Sequence, residues 1–240
     1  MVETENIFGI NVSILNYMRL RECVEKDINL NKKSTIIAIN PEKILKSRND
    51  NELKELLNNA TYKIPDGIGV VYASKKMGGK IKSRITGIDC MEMLCELSNI
   101  KGYKIFMFGA SSEVVRNAKY ELTKKYPKVN IVGILDGYEK DNDKIVETIN
   151  KSGANILFVA LGSPKQENWI KNNMNKLNVN IFQGVGGSFD VFSGGIKRAP
   201  KLMQKLGLEW LYRLIKEPKR IFRQINLFKF MLLLMVGRKK

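Results

Sequence analysis

The strongest constraint on fold is a pattern that recurs along the chain: a short apolar run, a turn of small or polar residues, then a helix start. Its clearest instance spans residues 155–170, Asn-Ile-Leu-Phe-Val-Ala-Leu-Gly-Ser-Pro-Lys-Gln-Glu-Asn-Trp-Ile. The apolar half is too short for an ordinary helix and stops at Gly162, as a strand buried on both faces of a parallel sheet does. Pro164 stands where a helix would begin, with Gln166 and Glu167 in its first turn. In open α/β sheets, ligands sit at such carboxyl ends of strands, close to the amides of the following helices. Gly162 lets a ligand approach the backbone, and Gln166 offers a donor and an acceptor. Taken alone, an ordinary strand-to-helix connection accounts for all of this.

The same reading applies elsewhere. Residues 7–15 alternate as an early strand or hairpin, and Leu20, Val24 and Ile28 recur at a helical spacing. Residues 34–39 form a second buried-strand candidate, closed by Asn40-Pro41-Glu42, and residues 62–64 a short strand that turns at Pro65-Asp66-Gly67 into an apolar helix. Thr86 caps a helix that carries Met91, Leu94 and Leu97 inward. The strand of residues 104–108 ends in Gly109-Ala110-Ser111, and the next helix shows Val114, Ala118 and Leu122 on one face. Residues 129–135 and 179–183 complete the strands. Alternating strands and helices predict an α/β fold with a doubly wound, mostly parallel, Rossmann-like sheet.

Five strand ends are therefore rich in Gly, Asn, Asp or Ser: Asn40, Gly109, Asp136-Gly137, Gly162 and the segment Gly184–Asp190. The last does not match Gly-x-Gly-x-x-Gly, because Phe189 holds the third position, so a nicotinamide enzyme is weakly supported. A nucleoside diphosphate held at helix N-termini stays open as a reading. Histidine is absent from all 240 residues, which leaves proton transfer to carboxylates, Lys or Tyr. Asp66, at a strand–helix junction, is the candidate base for a sugar hydroxyl, although Pro-Asp-Gly is also a common turn. Arg84, in a basic loop, is suited to paired hydrogen bonds with a diphosphate. Cys23, Cys90 and Cys95 lack metal-ligand spacing and read as reduced thiols of a cytoplasmic protein.

Charge divides the chain. Of its net +17, eleven charges come from residues 196–240, where thirteen Lys and Arg face only Glu209 and Glu217. We therefore expect an α/β core over residues 1–195 and a basic, helical, membrane-associating appendage over residues 196–240. A helix breaks at Pro218, and residues 230–236 are wholly apolar, too few to span a bilayer but able to lie among headgroups. Leu227, Phe228, Phe230, Met231, Leu232, Leu233 and Leu234 are expected to offer a lipid-facing surface.

Several stretches together resemble one family: Asn40-Pro41-Glu42, Pro65-Asp66-Gly67-Ile68-Gly69, Arg84-Ile85-Thr86-Gly87, Phe108-Gly109-Ala110, Gly162-Ser163-Pro164-Lys165-Gln166-Glu167, Gly184-Val185-Gly186 with Phe189-Asp190, and Gly207-Leu208-Glu209-Trp210 leading to Arg213, Arg220 and Arg223. In this order they resemble the WecG/TagA/CpsF glycosyltransferases, and the length and basic tail are most similar to the TagA branch. The resemblance implies inverting transfer of N-acetylmannosamine from UDP-N-acetylmannosamine to undecaprenyl-diphosphate-linked N-acetylglucosamine, without cofactor or metal, at the inner face of the cytoplasmic membrane. It implies that Asp66 is the general base and that Arg213, Arg220 and Arg223 close over the site from the appendage. On this reading Arg84 and the tail arginines stabilise the leaving diphosphate, Asn40 and Gln166 orient the sugar, Asp190 binds ribose or uracil, and Gly109 and Gly162 admit the ligand. Homo-oligomerisation stays open. The family usually carries Thr where Ala38 stands.

Three other readings compete. A basic nucleic-acid-binding α/β protein accounts for the charge but not for the five strand-end loops, so no nucleic-acid partner is expected. A non-catalytic membrane scaffold leaves those loops idle. A related UDP-sugar transferase of exopolysaccharide synthesis shares every motif.

Overall fold

The structure is a computed structural model that describes residues 2–216 and 221–236, without the side chains of Lys205, Arg213, residues 221–225 and Val236. The chain opens with an antiparallel hairpin, β1 (Thr4–Ile7) and β2 (Ile10–Ser13), followed by α1 (Tyr17–Asn29). Then come β3 (Ser34–Ile39), α2 (Pro41–Ser47), α3 (Asn51–Asn58), β4 (Tyr62–Pro65), α4 (Ile68–Lys76) and α5 (Gly87–Lys101). The second half runs β5 (Lys104–Gly109), α6 (Ser112–Lys125), β6 (Asn130–Leu135), α7 (Asn142–Ser152), β7 (Ile156–Ala160), α8 (Lys165–Asn173), β8 (Ile181–Gly184) and α9 (Ser188–Phe192). Three helices close the described chain, α10 (Lys201–Lys205), α11 (Glu209–Lys216) and α12 (Ile221–Val236).

Strands β3 to β8 form one parallel sheet in the order β4-β3-β8-β7-β5-β6. Because side chains alternate across a strand, each central strand feeds two cores. Ile36, Ile105, Met107, Ile156, Phe158 and Ile181 point to one face, where they meet α1, α5, α6 and α9 through Leu20, Met91, Ala118 and Phe189. On the other face, Ile37 and Ile39 pack with Ile44, Leu57 and Val70 of α2, α3 and α4, while Phe106, Phe108, Leu157 and Val159 pack with Ile149 and Ile170 of α7 and α8. The doubly wound α/β fold is thus as the apolar runs predicted. On α6 the buried stripe is Val115, Ala118 and Leu122, with Val114 only packed against the edge of the core, so the inward face is one residue round from the expected one.

The appendage needs a larger correction. Phe230 and Leu234 are buried in the core on the α2/α3/α4 face, and the Phe230 ring meets Phe8 edge-on, centroids 5.7 Å apart. Four residues apart on α12, they lie on one face of the helix, which packs on α2 and α4. They are therefore not lipid-facing, whereas Phe228, Leu232 and Met235 remain 60–65% exposed. No helix among the described residues is long and apolar enough to cross a membrane. The expected break at Pro218 lies outside the described residues.

Removing a fully buried phenylalanine costs about 3–5 kcal/mol, whereas a surface substitution is worth within about 0.5 kcal/mol. Phe230→Ala is therefore expected to shift the denaturant midpoint far below that of the wild type, and Phe228→Ala to leave it nearly unchanged. Equilibrium unfolding in urea checks both.

Candidate active site

The carboxyl ends of β3, β4, β7 and β8 open into a cavity of about 840 Å³. Its walls include Asn40, Asp66, Arg84, Gly162 and Gln166 from the sequence candidates, together with Ala38, Lys43, the loop of residues 184–188, and Glu209 and Trp210 of α11. A volume in the range of about 300–1,000 Å³ suits a small-molecule or cofactor ligand.

Asp66 follows the last residue of β4, and its N–H extends the sheet pairing by donating to the Ile39 carbonyl at 2.8 Å. Gly67, and not Asp66, stands at the N-cap position of the next helix, α4, which has no side-chain cap. Asn40 does cap: its Oδ1 accepts the Lys43 N–H at 2.9 Å at the start of α2. That part of Asn40 is committed to structure.

Gln166, in the first turn of α8, is 3% exposed. Its Oε1 accepts the Gly186 N–H at 3.0 Å and its Nε2 donates to Glu167 Oε1 at 3.2 Å. A Cβ at Gly184 would stand 2.5 Å from Gln166 Nε2, so a side chain there would displace the Gln166 amide. Gly162 borders the cavity with nothing within 4 Å of where its Cβ would stand, so space for a ligand is open there.

Arg84 is anchored by a charged cluster. Its Nη2 donates to Glu209 Oε2 at 2.5 Å, and Glu209 Oε1 accepts from Arg198 Nε at 3.3 Å. Arg198 Nη1 reaches Asp89 Oδ1 at 2.5 Å, while Asp89 Oδ2 accepts from Thr86 Oγ1 at 2.6 Å and from the Tyr17 hydroxyl at 3.3 Å. Burial raises the Asp89 pKa, but the hydrogen bonds from Arg198 and Thr86 and the charges of Arg198 and Arg84 outweigh it and hold the carboxyl below its ordinary range. The cluster joins the C-terminal segment to the start of α5, and it fixes an arginine at the cavity wall.

Not every candidate meets in the cavity. Gly109 lies outside the lining residues and has a packing reason to be glycine: its φ is +116° and a Cβ would stand 2.5 Å from the Ala160 carbonyl oxygen. Asp190, on α9, is also outside the lining; its backbone carbonyl accepts from Ile196 N–H at 3.0 Å and from the Ser193 hydroxyl at 2.9 Å. Arg220 and the side chains of Arg213 and Arg223 lie outside the described residues. The sequence does contain one Asp-x-Asp triplet, Asp141-Asn142-Asp143, but Asp141 Oδ1 caps α7 by accepting the N–H groups of Asp143 and Lys144 at 3.1 Å. Among the described residues there is no group of three or more His, Cys, Asp or Glu that could hold a metal ion. Sequence reasoning missed Lys43 and Arg198. Neither carries a local signal, since their partners Glu167 and Asp89 are far away in the chain.

A doubly wound sheet with an acidic residue, an arginine and a polar amide converging at its strand ends has the makings of a group-transfer site. A family model described as the glycosyl transferase WecG/TagA/CpsF family matches residues 5–240. The chain belongs to that family of glycosyltransferases.

Asp89 titrates lower in the folded chain than in the unfolded one, where an aspartate has a pKa of about 3.9. Its ionised form therefore contributes stability that is fully present above that value and is lost as the pH falls through the lower folded value. Asp89→Asn is expected to lower the melting temperature at pH 7 and to differ less and less from the wild type on acidification below pH ~4. Thermal melts across pH 2.5–7 check this.

Proposed function

We propose that the chain is an inverting N-acetylmannosaminyltransferase that moves the sugar from UDP-N-acetylmannosamine to lipid-diphosphate-linked N-acetylglucosamine. The observation that carries this reading is the position of Asp66: a carboxylate on the cavity wall, at the end of β4, where the strand ends converge. Asp66 takes the proton from the acceptor hydroxyl as that oxygen attacks the anomeric carbon. The bond to UDP breaks on the opposite face, and the leaving diphosphate carries the developing charge.

Arg84 is the described cation best placed on the wall to stabilise that charge, because its guanidinium is fixed before the ligand arrives. The diphosphate shares it with Glu209. Arg213, Arg220 and Arg223 of the appendage, residues 196–240, add to this field in our reading. Gln166 orients the sugar with the amide hydrogen and lone pair that Glu167 and Gly186 leave unspent. We place the enzyme peripherally on the inner face of the cytoplasmic membrane, where its acceptor resides. The exposed Phe228, Leu232 and Met235 beside the exposed Lys229 support that placement.

Asp66→Asn keeps the shape of the side chain but cannot accept a proton at neutral pH. We expect turnover of UDP-N-acetylmannosamine with a lipid-diphosphate-linked N-acetylglucosamine analogue to fall by about 10²–10⁴-fold, with donor binding little changed. UDP release measured in a coupled assay checks it; activity within a few-fold of the wild type would remove Asp66 from the mechanism.

A further inference from the structure

A buried ion pair stands at the cavity wall, and the mechanism above gives it no chemical step. Lys43 Nζ stands 2.7 Å from Glu167 Oε1, with the two side chains 12% and 1% exposed. Both belong to first turns of helices: Lys43 in α2, whose cap Asn40 borders the cavity, and Glu167 in α8, beside Gln166. The pair therefore ties the end of β3 to the end of β7 across the sheet.

Three features set this pair apart from a bridge kept for stability. A hydrophobic pair of similar volume holds two helices together without the cost of burying charge. Glu167 Oε1 is shared, accepting from Lys43 Nζ and from Gln166 Nε2, so one oxygen sets the orientation of both groups. Its other oxygen, Oε2, is buried with no hydrogen-bond partner among the described residues, whereas a buried carboxylate is ordinarily matched at both oxygens. Lys43 itself lines the cavity, and an ammonium has three donors of which Glu167 takes one.

We infer that Glu167 is a positioning residue of the donor site, and that the Lys43 ammonium it holds is a further contact for the anionic part of a nucleoside-diphosphate sugar. The inference rests on the donor reading above. Through Oε1, Glu167 fixes which face of the Gln166 amide meets the sugar, and it holds the Lys43 cation at the wall instead of letting it extend into solvent. The cavity then has a cation on either side: Arg84 held by Glu209, and Lys43 held by Glu167.

The test separates positioning from simple structural support. Glu167→Gln leaves the Lys43 charge buried without a counter-ion, and Lys43→Met does the converse, so each lowers the melting temperature. The double variant Lys43→Met/Glu167→Gln removes both charges and is expected to recover most of that loss. Its dissociation constant for UDP-N-acetylmannosamine, measured by titration calorimetry, should nevertheless stay about tenfold or more above that of the wild type. Binding by the double variant within twofold of the wild type would overturn the inference while leaving the donor reading intact. A wild-type chain that does not bind UDP-N-acetylmannosamine overturns both. Should the double variant not fold, Glu167→Asp decides: it keeps the charge but shortens its reach to Gln166, and weaker donor binding at an unchanged melting temperature supports positioning, whereas unchanged binding contradicts it.

Discussion

The structure depends on the two-sided burial of its central strands. In β3, β7, β8 and β5, successive residues enter opposite cores, so a slip of one residue in any strand would exchange both faces at once. Strand register is therefore locked by packing on both sides, and the strand ends come into line as a consequence. Asp66, Asn40, Gly162 and the loop after β8 converge because the strands that carry them cannot shift independently. A loop-built site thus has the precision of the sheet beneath it.

A second constraint is electrostatic. The cluster of Arg84, Glu209, Arg198, Asp89, Thr86 and Tyr17 draws residues from α1, the start of α5 and the C-terminal segment into one network. In the same segment, Phe230 and Leu234 enter the core beside α2 and α4. Apolar packing and charge pairing together make the C-terminal region a wall of the cavity, through Gly207, Glu209, Trp210 and Leu227. A site of this kind gains from cations that are already oriented, because no reorganisation is needed as charge develops. The opposing carboxylates Glu209 and Glu167 provide that orientation at Arg84 and Lys43.

Much of this was legible in the sequence, and for physical reasons. Apolar runs ended by Gly, Asn or Asp report strands buried on both faces and their loops, which is why β3, β5, β7 and β8, and the strand-end loops that bring Asn40, Asp66 and Gly162 to the cavity wall, could be read in advance. Tertiary pairing is what the one-dimensional pattern conceals. Glu209 and Arg84 are 125 residues apart, and Glu167 and Lys43 are 124 apart. Nothing near either residue signals its partner. Gly109 has a packing reason to be glycine that the sequence cannot separate from a ligand contact, because close approach to a ligand and close approach to Ala160 make the same demand on the chain. Phe230 and Leu234 looked lipid-facing because an apolar residue reads alike whether it meets core or membrane.

The central claim is that the strand-end cavity is where the sugar nucleotide binds, and amide hydrogen exchange with and without UDP tests it most directly. Binding there should slow exchange in peptides covering residues 38–43, 84–89, 162–168 and 184–188, and leave the far end of α1, residues 22–30, unchanged. Protection confined to surfaces away from the carboxyl ends of β3, β4, β7 and β8 would contradict the account.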